Sequence, residues 1–412
     1  MQEVTRRRWL ATTGAVGVGG LTGCLGFGGS STPVTIGSLL PLSGPGALGT
    51  VASHHEQAVA AAVDHVNEAG GIHGREVVHV SKDTEASADV AAERYRELAD
   101  ENAVAVVGAV ISGVSAALTG TVAEDRRPLV SPSSTSPALA NAGTTTNDGK
   151  YFARTCPNDR QQAAVMAKVL GDDAYAGADT VSVLHLDDAF GSALADALVV
   201  ATDADVTADV PFAASTSTPA DPVDAALADD PDAVAFVGTP GQSTSTLNEL
   251  LGRAYDGDVV LSSGLVPSDP GKQFTGVYTA SVATARTVGT KRLEQELAEI
   301  APLMPYTTNA YDAAFLSALA AEAASDVSPK AVAGNLRAVS RGVGHAVTVG
   351  DFERARTLFD AGRSVNYRGA SGAVNLDFDL EPLSGYLVQR ADDGALHTLE
   401  LLQRSYFGGD GS

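Results

Sequence analysis

Strand-like and helix-like segments alternate in two successive runs along this chain, and that rhythm restricts the fold more than any other feature. Val34–Leu40 is a short apolar strand that ends in the turn-rich Pro41-Leu42-Ser43-Gly44-Pro45-Gly46. Behind it Ala58, Ala62, Val63, Val66 and Ala69 recur at three- and four-residue spacing, the period of an amphipathic helix. That helix stops at Gly70-Gly71, where glycine accepts the left-handed cap. Strand 76–80, helix 87–100, strand 103–107, helix 115–124 and strand 128–130 follow. The alternation restarts after Tyr151–Arg154, with helices at 161–170, 192–200, 223–228 and 246–254 between strands at 180–186, 205–210, 233–237 and 259–261. A strand at 277–282 leads to helices at 293–300, 310–324 and 329–339, then to late strands at 373–378, 386–389 and 396–402. Such alternation means parallel sheets covered on both faces. The expected class is α/β, with two doubly wound parallel-sheet lobes, and a length of 412 residues suits two lobes.

Charge narrows the partners. Asp and Glu number 50 against 27 Lys and Arg, so phosphate backbones are repelled and nucleic-acid binding is not expected. Few lysines, many acids and many alanines make a surface like those adapted to concentrated salt, where screening tames carboxylate repulsion. After the N-terminus no run of about 20 apolar residues offers a membrane span. The two cysteines, Cys24 and Cys156, do not make a disulfide framework.

The N-terminus reads as an address. Thr5-Arg6-Arg7-Arg8-Trp9-Leu10 resembles a twin-arginine export signal, and a weak apolar run, Ala11 to Leu21, follows. Leu21-Thr22-Gly23-Cys24 looks like a lipobox, so residues 1–23 are expected to be a signal peptide and Cys24 the lipidated residue. Residues 24–33, rich in Gly and Ser, read as a tether. The expected location is the extracellular face of the cell membrane, held there by lipid.

Eight pieces in order carry a family resemblance. Val34-Thr35-Ile36-Gly37-Ser38-Leu39-Leu40-Pro41-Leu42-Ser43-Gly44-Pro45 opens it, and Val66-Asn67-Glu68-Ala69-Gly70-Gly71-Ile72 with Gly74-Arg75 continues. Asp83, Val106-Val107-Gly108 with Ser112, and Ser131-Pro132-Ser133-Ser134-Thr135-Ser136-Pro137 follow. Phe152-Ala153-Arg154-Thr155, Asp188-Ala189-Phe190-Gly191 and Gly369–Asp377 complete the series. Together they resemble the leucine/isoleucine/valine-binding family of type I periplasmic solute-binding proteins. The resemblance implies two lobes with three hinge crossings and a ligand cleft between them. The division it suggests is 34–154 with 283–345, then 155–282 with 346–402, and a flexible tail at 403–412.

In open α/β sheets ligands bind beyond the carboxyl ends of the strands, where helix N-termini favour anions. Two loops, 109–115 and 131–137, have that character. By the resemblance, Ser112, Ser133 and Thr135 clasp a ligand carboxylate, with the Ser133 N–H and the other two hydroxyls as donors. Read on their own residues, the same Ser and Thr are helix caps. In the second lobe Phe190 stands where the family often has Tyr, and Ser263 where it has the acid that meets a ligand ammonium. Asp187 or Asp269 is a candidate substitute for that acid, or else the ligand is not an α-amino acid.

No Gly-x-Ser-x-Gly elbow, P-loop or post-strand Gly-x-Gly-x-x-Gly occurs, so no enzyme constellation and no cofactor is expected. His54-His55 and the His185/Asp187 pair could be drawn as metal ligands, but adjacent helical histidines point apart, and no metal site is expected. Cys156 lacks a histidine partner and reads as inert. The function implied is the binding subunit of an ABC transporter, delivering a small polar solute to permease subunits. The alternative is a ligand-sensing module that reports to a membrane signalling partner.

Overall fold

The computed structural model describes residues 32–146, 149–267 and 269–408, and Pro33–Ser412 form one compact unit. The export signal, Cys24 and most of the tether lie outside the described residues.

Five parallel strands build the first sheet: β1 (Val34–Leu40), β2 (Val77–Asp83), β3 (Ala103–Gly108), β4 (Leu129–Ser131) and β5 (Phe152–Arg154), in the order β2-β1-β3-β4-β5. Helices α1 (Ala47–Glu68), α2 (Ala88–Asp100) and α3 (Ser112–Asp125) connect the first four. Gly70 and Gly71, at φ 94° and 77°, turn the chain out of α1 as expected. A Cβ on Gly71 would sit 1.9 Å from the Arg75 carbonyl oxygen, so only glycine fits there.

After α4 (Asp159–Gly171) the pattern repeats. Strands β6 (Thr180–Leu186), β7 (Asp205–Phe212), β8 (Ala233–Val237), β9 (Asp258–Leu261) and β10 (Tyr278–Val282) run parallel in the order β7-β6-β8-β9-β10, with α5 (Gly191–Ala201), α6 (Ala220–Ala226) and α7 (Thr244–Leu251) between the first four. Strand for strand, the first sheet's order is repeated.

The chain then returns to the first lobe. It adds α8 (Val288–Glu296), α9 (Thr307–Ala323), buried along all but Thr308 and Ala323, α10 (Pro329–Ser340), a short parallel pair β11 (His345–Thr348) and β12 (Val365–Arg368), and α11 (Phe352–Asp360) between them. Helix α10 starts as its sequence dictates: the Ser328 hydroxyl accepts from Ala331 N at 3.3 Å, and Pro329 occupies the first turn. An antiparallel hairpin, β13 (Tyr386–Asp392) and β14 (Ala395–Leu402), finally extends the second sheet beside β10.

Three crossings result, at 155–158, 283–287 and 381–385. Leu293, Phe315, Val347, Tyr367 and Leu380 pack in the first lobe's core with Ile36 and Val107, whereas Tyr386 and Leu402 pack in the second with Val181 and Ala235. The expected division is corrected at two places. Residues 346–380 belong with the first lobe, so that only the hairpin joins the second, and the tail expected from 403 begins with a short helical turn, Arg404–Phe407, whose Phe407 packs on the second core. The strand expected at 373–378 is irregular chain. It follows a loop clamped by the buried Asp312 carboxylate, which accepts from Ala370 N, Ser371 N, Ser371 Oγ and Tyr367 Oη at 2.6–2.8 Å. Asp312 supplies the acceptors for that loop's N–H groups, and beyond it Leu376 N donates to Ser340 Oγ and Asp377 N to the Glu381 carbonyl, so these donors are met without a sheet.

Candidate functional site

In both sheets the strand order reverses beside the first strand, so the crevice of each lobe opens beyond the carboxyl ends of β1 and β3, and of β6 and β8. Around the first crevice the structure places Ser112 as the opening residue of α3, not three residues ahead of it. Its hydroxyl accepts from Ser136 N at 3.4 Å and so links the two loops named from sequence. Ser133 N leans on Ser131 Oγ at 3.4 Å, and the Ser133 hydroxyl donates to the Val110 carbonyl at 3.2 Å. Thr135 is nearly buried beside the first residue of α4, where Asp159 N donates to the Thr135 carbonyl at 2.9 Å.

From the second lobe, Ala189 closes on the same place: the Ser136 hydroxyl donates to its carbonyl at 2.9 Å. Phe190 follows, half-buried against the second core at the N-terminus of α5, where the Asp188 carboxylate accepts from Phe190 N and Gly191 N. Ser263 lies in the loop after β9 and its N–H donates to Gln162 Oε1 at 2.9 Å. Of the five residues named from sequence, Ser112 therefore opens α3 and the other four sit on loops, at the ends of the two lobes that meet through the Ser136–Ala189 bond. A separate surface concavity of about 540 Å³, lined by Pro137, Ala138, Arg160 and the α5 residues Ala193, Asp196, Ala197, Val200 and Ala201, holds none of them.

Two residues were missed. Asp159 is a fully buried carboxylate at the first crossing, and burial pushes its pKa up to about 6, against the neighbouring Thr135 hydroxyl and the Arg154 charge, which both lower it. Its Oδ1 accepts from Gln162 Nε2 at 3.4 Å, while its Oδ2 is buried and has no hydrogen bond of good geometry, so the Thr135 hydroxyl acts on the carboxylate as a neighbouring dipole and leaves that oxygen open to a further partner. A chain of neighbours thus runs from Thr135 through Asp159 and Gln162 to Ser263, from one lobe's loop to the other's. The signal was present in Asn158, which caps α4 by accepting from Arg160 N at 2.9 Å and so fixes Asp159 in the first turn. Asp187 and Asp269, the acids considered from sequence, are exposed.

Tyr306 is the second. It precedes α9 at φ 63°, an uncommon conformation for a bulky residue, and burial together with the nearby Asp159 charge holds its phenol well above the ordinary value. His54 and His55 bracket the turn before it: His54 Nδ1 accepts from Met304 N at 3.2 Å, and His55 Nε2 lies 2.9 Å from the Pro305 carbonyl. Burial drops the His55 pKa to about 4, so its ring is neutral and donates there. His185 pairs with Asp209 at 3.3 Å and not with Asp187. Among the described residues no group of three His, Cys, Asp or Glu could hold a metal. Cys156 is buried, which pushes its thiol up to about 12 and leaves little thiolate at neutral pH.

Two wound lobes joined by three crossings, with polar loops meeting between them, define a ligand-binding protein of the two-lobed periplasmic type. Residues 33–360 match the family model described as periplasmic binding protein, and the chain belongs to that family. Over 414 residues, covering all of both chains, it is 56% identical to the chemotactic signal transduction system substrate-binding protein BasB of Halobacterium salinarum. It is 32% identical over 167 residues to the Leu/Ile/Val-binding protein BraC3 of Rhizobium johnstonii, covering 40% of this chain and 42% of the relative. A leucine-binding protein from Thermotoga maritima superposes with a TM-score of 0.71 at 20% identity, covering 90% of this chain and 99% of that one. A branched-chain amino acid binding protein from Streptococcus pneumoniae, in complex with isoleucine, gives 0.70 at 20% identity over the same shares.

Proposed function

We propose that the chain captures a branched-chain amino acid or a close relative between its lobes and presents the closed complex to a membrane partner. The observation that carries this reading is the Thr135–Asp159–Gln162–Ser263 chain, with one carboxylate oxygen buried and unmatched between the two loops. A buried anion is unfavourable unless a cation meets it, and a ligand ammonium is such a cation. Ser112, Thr135 and the Ser133 N–H take the ligand carboxylate, Asp159 takes the ammonium in place of the acid absent at Ser263, and Phe190 and Tyr306 flank the side chain. The partner is a signalling receptor, since the full-length relative at 56% identity is named for chemotactic signal transduction. Delivery to an ABC permease is the second reading, supported by the transporter-named structural neighbours. Cys24 lipid, after twin-arginine export, holds the protein at the outer membrane face.

Calorimetry on the full chain at molar salt tests the capture step. L-leucine or L-isoleucine binds, whereas 4-methylpentanoate, which lacks the ammonium, does not. Equal affinity for the two compounds would remove the ammonium, and Asp159 with it, from the site.

A further inference from the structure

The Arg154 side chain is 1% exposed, the largest fully buried side chain among the described residues, and lies at the end of β5 where the first crossing begins. Its guanidinium is divided between two places. Nη1 donates to the carbonyls of Ser134 and Ser136, each at 2.9 Å, and these bracket Thr135. Nε donates to Glu381 Oε2 at 2.9 Å, and Nη2 bonds the same oxygen. Glu381 opens the third crossing, and its Oε1 accepts from Asn158 Nδ2 at 2.8 Å, the same Asn158 that caps α4. Backbone bonds run alongside: Arg154 N donates to the Leu380 carbonyl at 3.0 Å and Thr155 N to the Ser131 carbonyl at 3.0 Å. One planar fork therefore joins a loop of the first lobe, the first crossing and the third.

We propose that Arg154 is a positioning residue that couples the Ser133–Thr135 loop to the hinge, so that the geometry of this loop and the conformation of the third crossing change together. A rotation of the lobes must re-aim the 381–385 segment. Because Glu381 shares one rigid guanidinium with the carbonyls on either side of Thr135, that motion is felt at Thr135. Lysine would keep the charge but gathers its donors on one nitrogen, without the rigid fork that reaches the carbonyls and the carboxylate from separate nitrogens. Reading the coupled loop as a ligand loop rests on the proposed function; the coupling itself does not, and it can be measured without ligand.

Amide hydrogen exchange of the ligand-free full chain provides the test. Ser134 N and Ser136 N report on the loop, Ser384 N on the third crossing, where it donates to Gln161 Oε1, and Val183 and Ala235 on the second core. Glu381→Gln touches neither Ser134 nor Ser136. It is expected to speed exchange at both at least tenfold, with the second-core amides within twofold of wild type. Arg154→Lys should speed the loop and Ser384 together. Glu381→Asp, which keeps the charge one methylene further back, serves if the Gln variant does not fold. Acceleration at Ser384 alone, or an equal rise at every amide, would overturn the coupling and leave the pair as ordinary scaffolding. A failed ligand screen with coupled exchange would overturn only the proposed ligand.

Discussion

Asp159 carries opposite consequences for stability and for binding. Its folded pKa of about 6 lies above the ordinary 3.8, so the stability tied to its proton is fully present below about pH 3.8 and is lost as pH rises through 6. At neutral pH the ionised, buried carboxylate costs about 3 kcal/mol, two pKa units at 1.36 kcal/mol each. Asp159→Asn is therefore expected to raise the melting temperature at pH 7 and to leave it nearly unchanged at pH 3.5, while amino-acid binding is lost; calorimetric scans and titrations read both. An ammonium ligand needs the carboxylate ionised. Affinity should then be flat above about pH 7 and weaken towards tenfold per unit below 6, with proton release seen as a buffer-dependent binding enthalpy near pH 6. The groups around Asp159 are Arg154, Thr135, Gln162, Cys156, Tyr306 and Tyr386. Burial holds the Cys156, Tyr306 and Tyr386 protons in place across this range, so the transition belongs to the aspartate. A hydrogen bond to a charged group contributes roughly 1.5–3 kcal/mol, so Thr135→Val should weaken binding roughly ten- to a hundredfold, and because the same hydroxyl eases the ionised Asp159 it should lower the melting temperature at pH 7 more than at pH 3.5. Cys156→Ser should leave affinity unaltered.

Elements with long apolar periodicity were readable from the sequence, and those whose shape is imposed by neighbours were not. Strands β3 and β8 are continuous apolar runs, as strands buried on both faces tend to be, β1 and β6 are apolar runs broken by Thr35, Ser38, Ser182 and His185, and all four fall where the alternation put them. The pair β11 and β12 has only His-Ala-Val-Thr and Val-Asn-Tyr-Arg to offer, too little pattern to separate from loop, and α11 between them went unread as well. Of the candidate site, loops 109–115 and 131–137 were singled out by their place at strand ends and by the family resemblance, since their Ser and Thr alone read as helix caps; Asp159 was not, because an aspartate in a helix's first turn ordinarily faces water. The turn before Tyr306 is held at Met304 and Pro305 by His54 and His55, each 250 residues away in sequence, which no local pattern reveals. One glycine tests how tightly an element is fitted. A Cβ at Gly191 would lie 2.0 Å from the Leu186 carbonyl oxygen, so Gly191→Ala must push α5 away from β6. A loss of about 1–3 kcal/mol is expected by denaturant titration, from overpacking alone.

Charge is distributed unevenly over the whole molecule. Residues 155–282 and 383–412, essentially the second lobe, hold 23 acids against 6 Lys and Arg, whereas 33–154 and 283–382 hold 26 against 18. Repulsion at low ionic strength, where the Debye length reaches about 30 Å at 0.01 M, therefore falls mainly on the second lobe. Raising salt to molar levels should raise the melting temperature, and at low salt the amides of β6–β8 should lose exchange protection before those of β1–β3. A melting temperature independent of salt would count against the proposed salt adaptation. The three crossings bear also on the order in which the molecule is made. Each core is built from segments interrupted by the other: the first needs Leu380 to finish what Val34 began, and the second needs Leu402 to finish what Ala163 began. A ribosome feeding this chain out from its N-terminus thus delivers the second lobe's five parallel strands before α9, the central helix of the first. Neither lobe can be completed while the nascent chain is short, and assembly has to wait until nearly all of the chain has emerged.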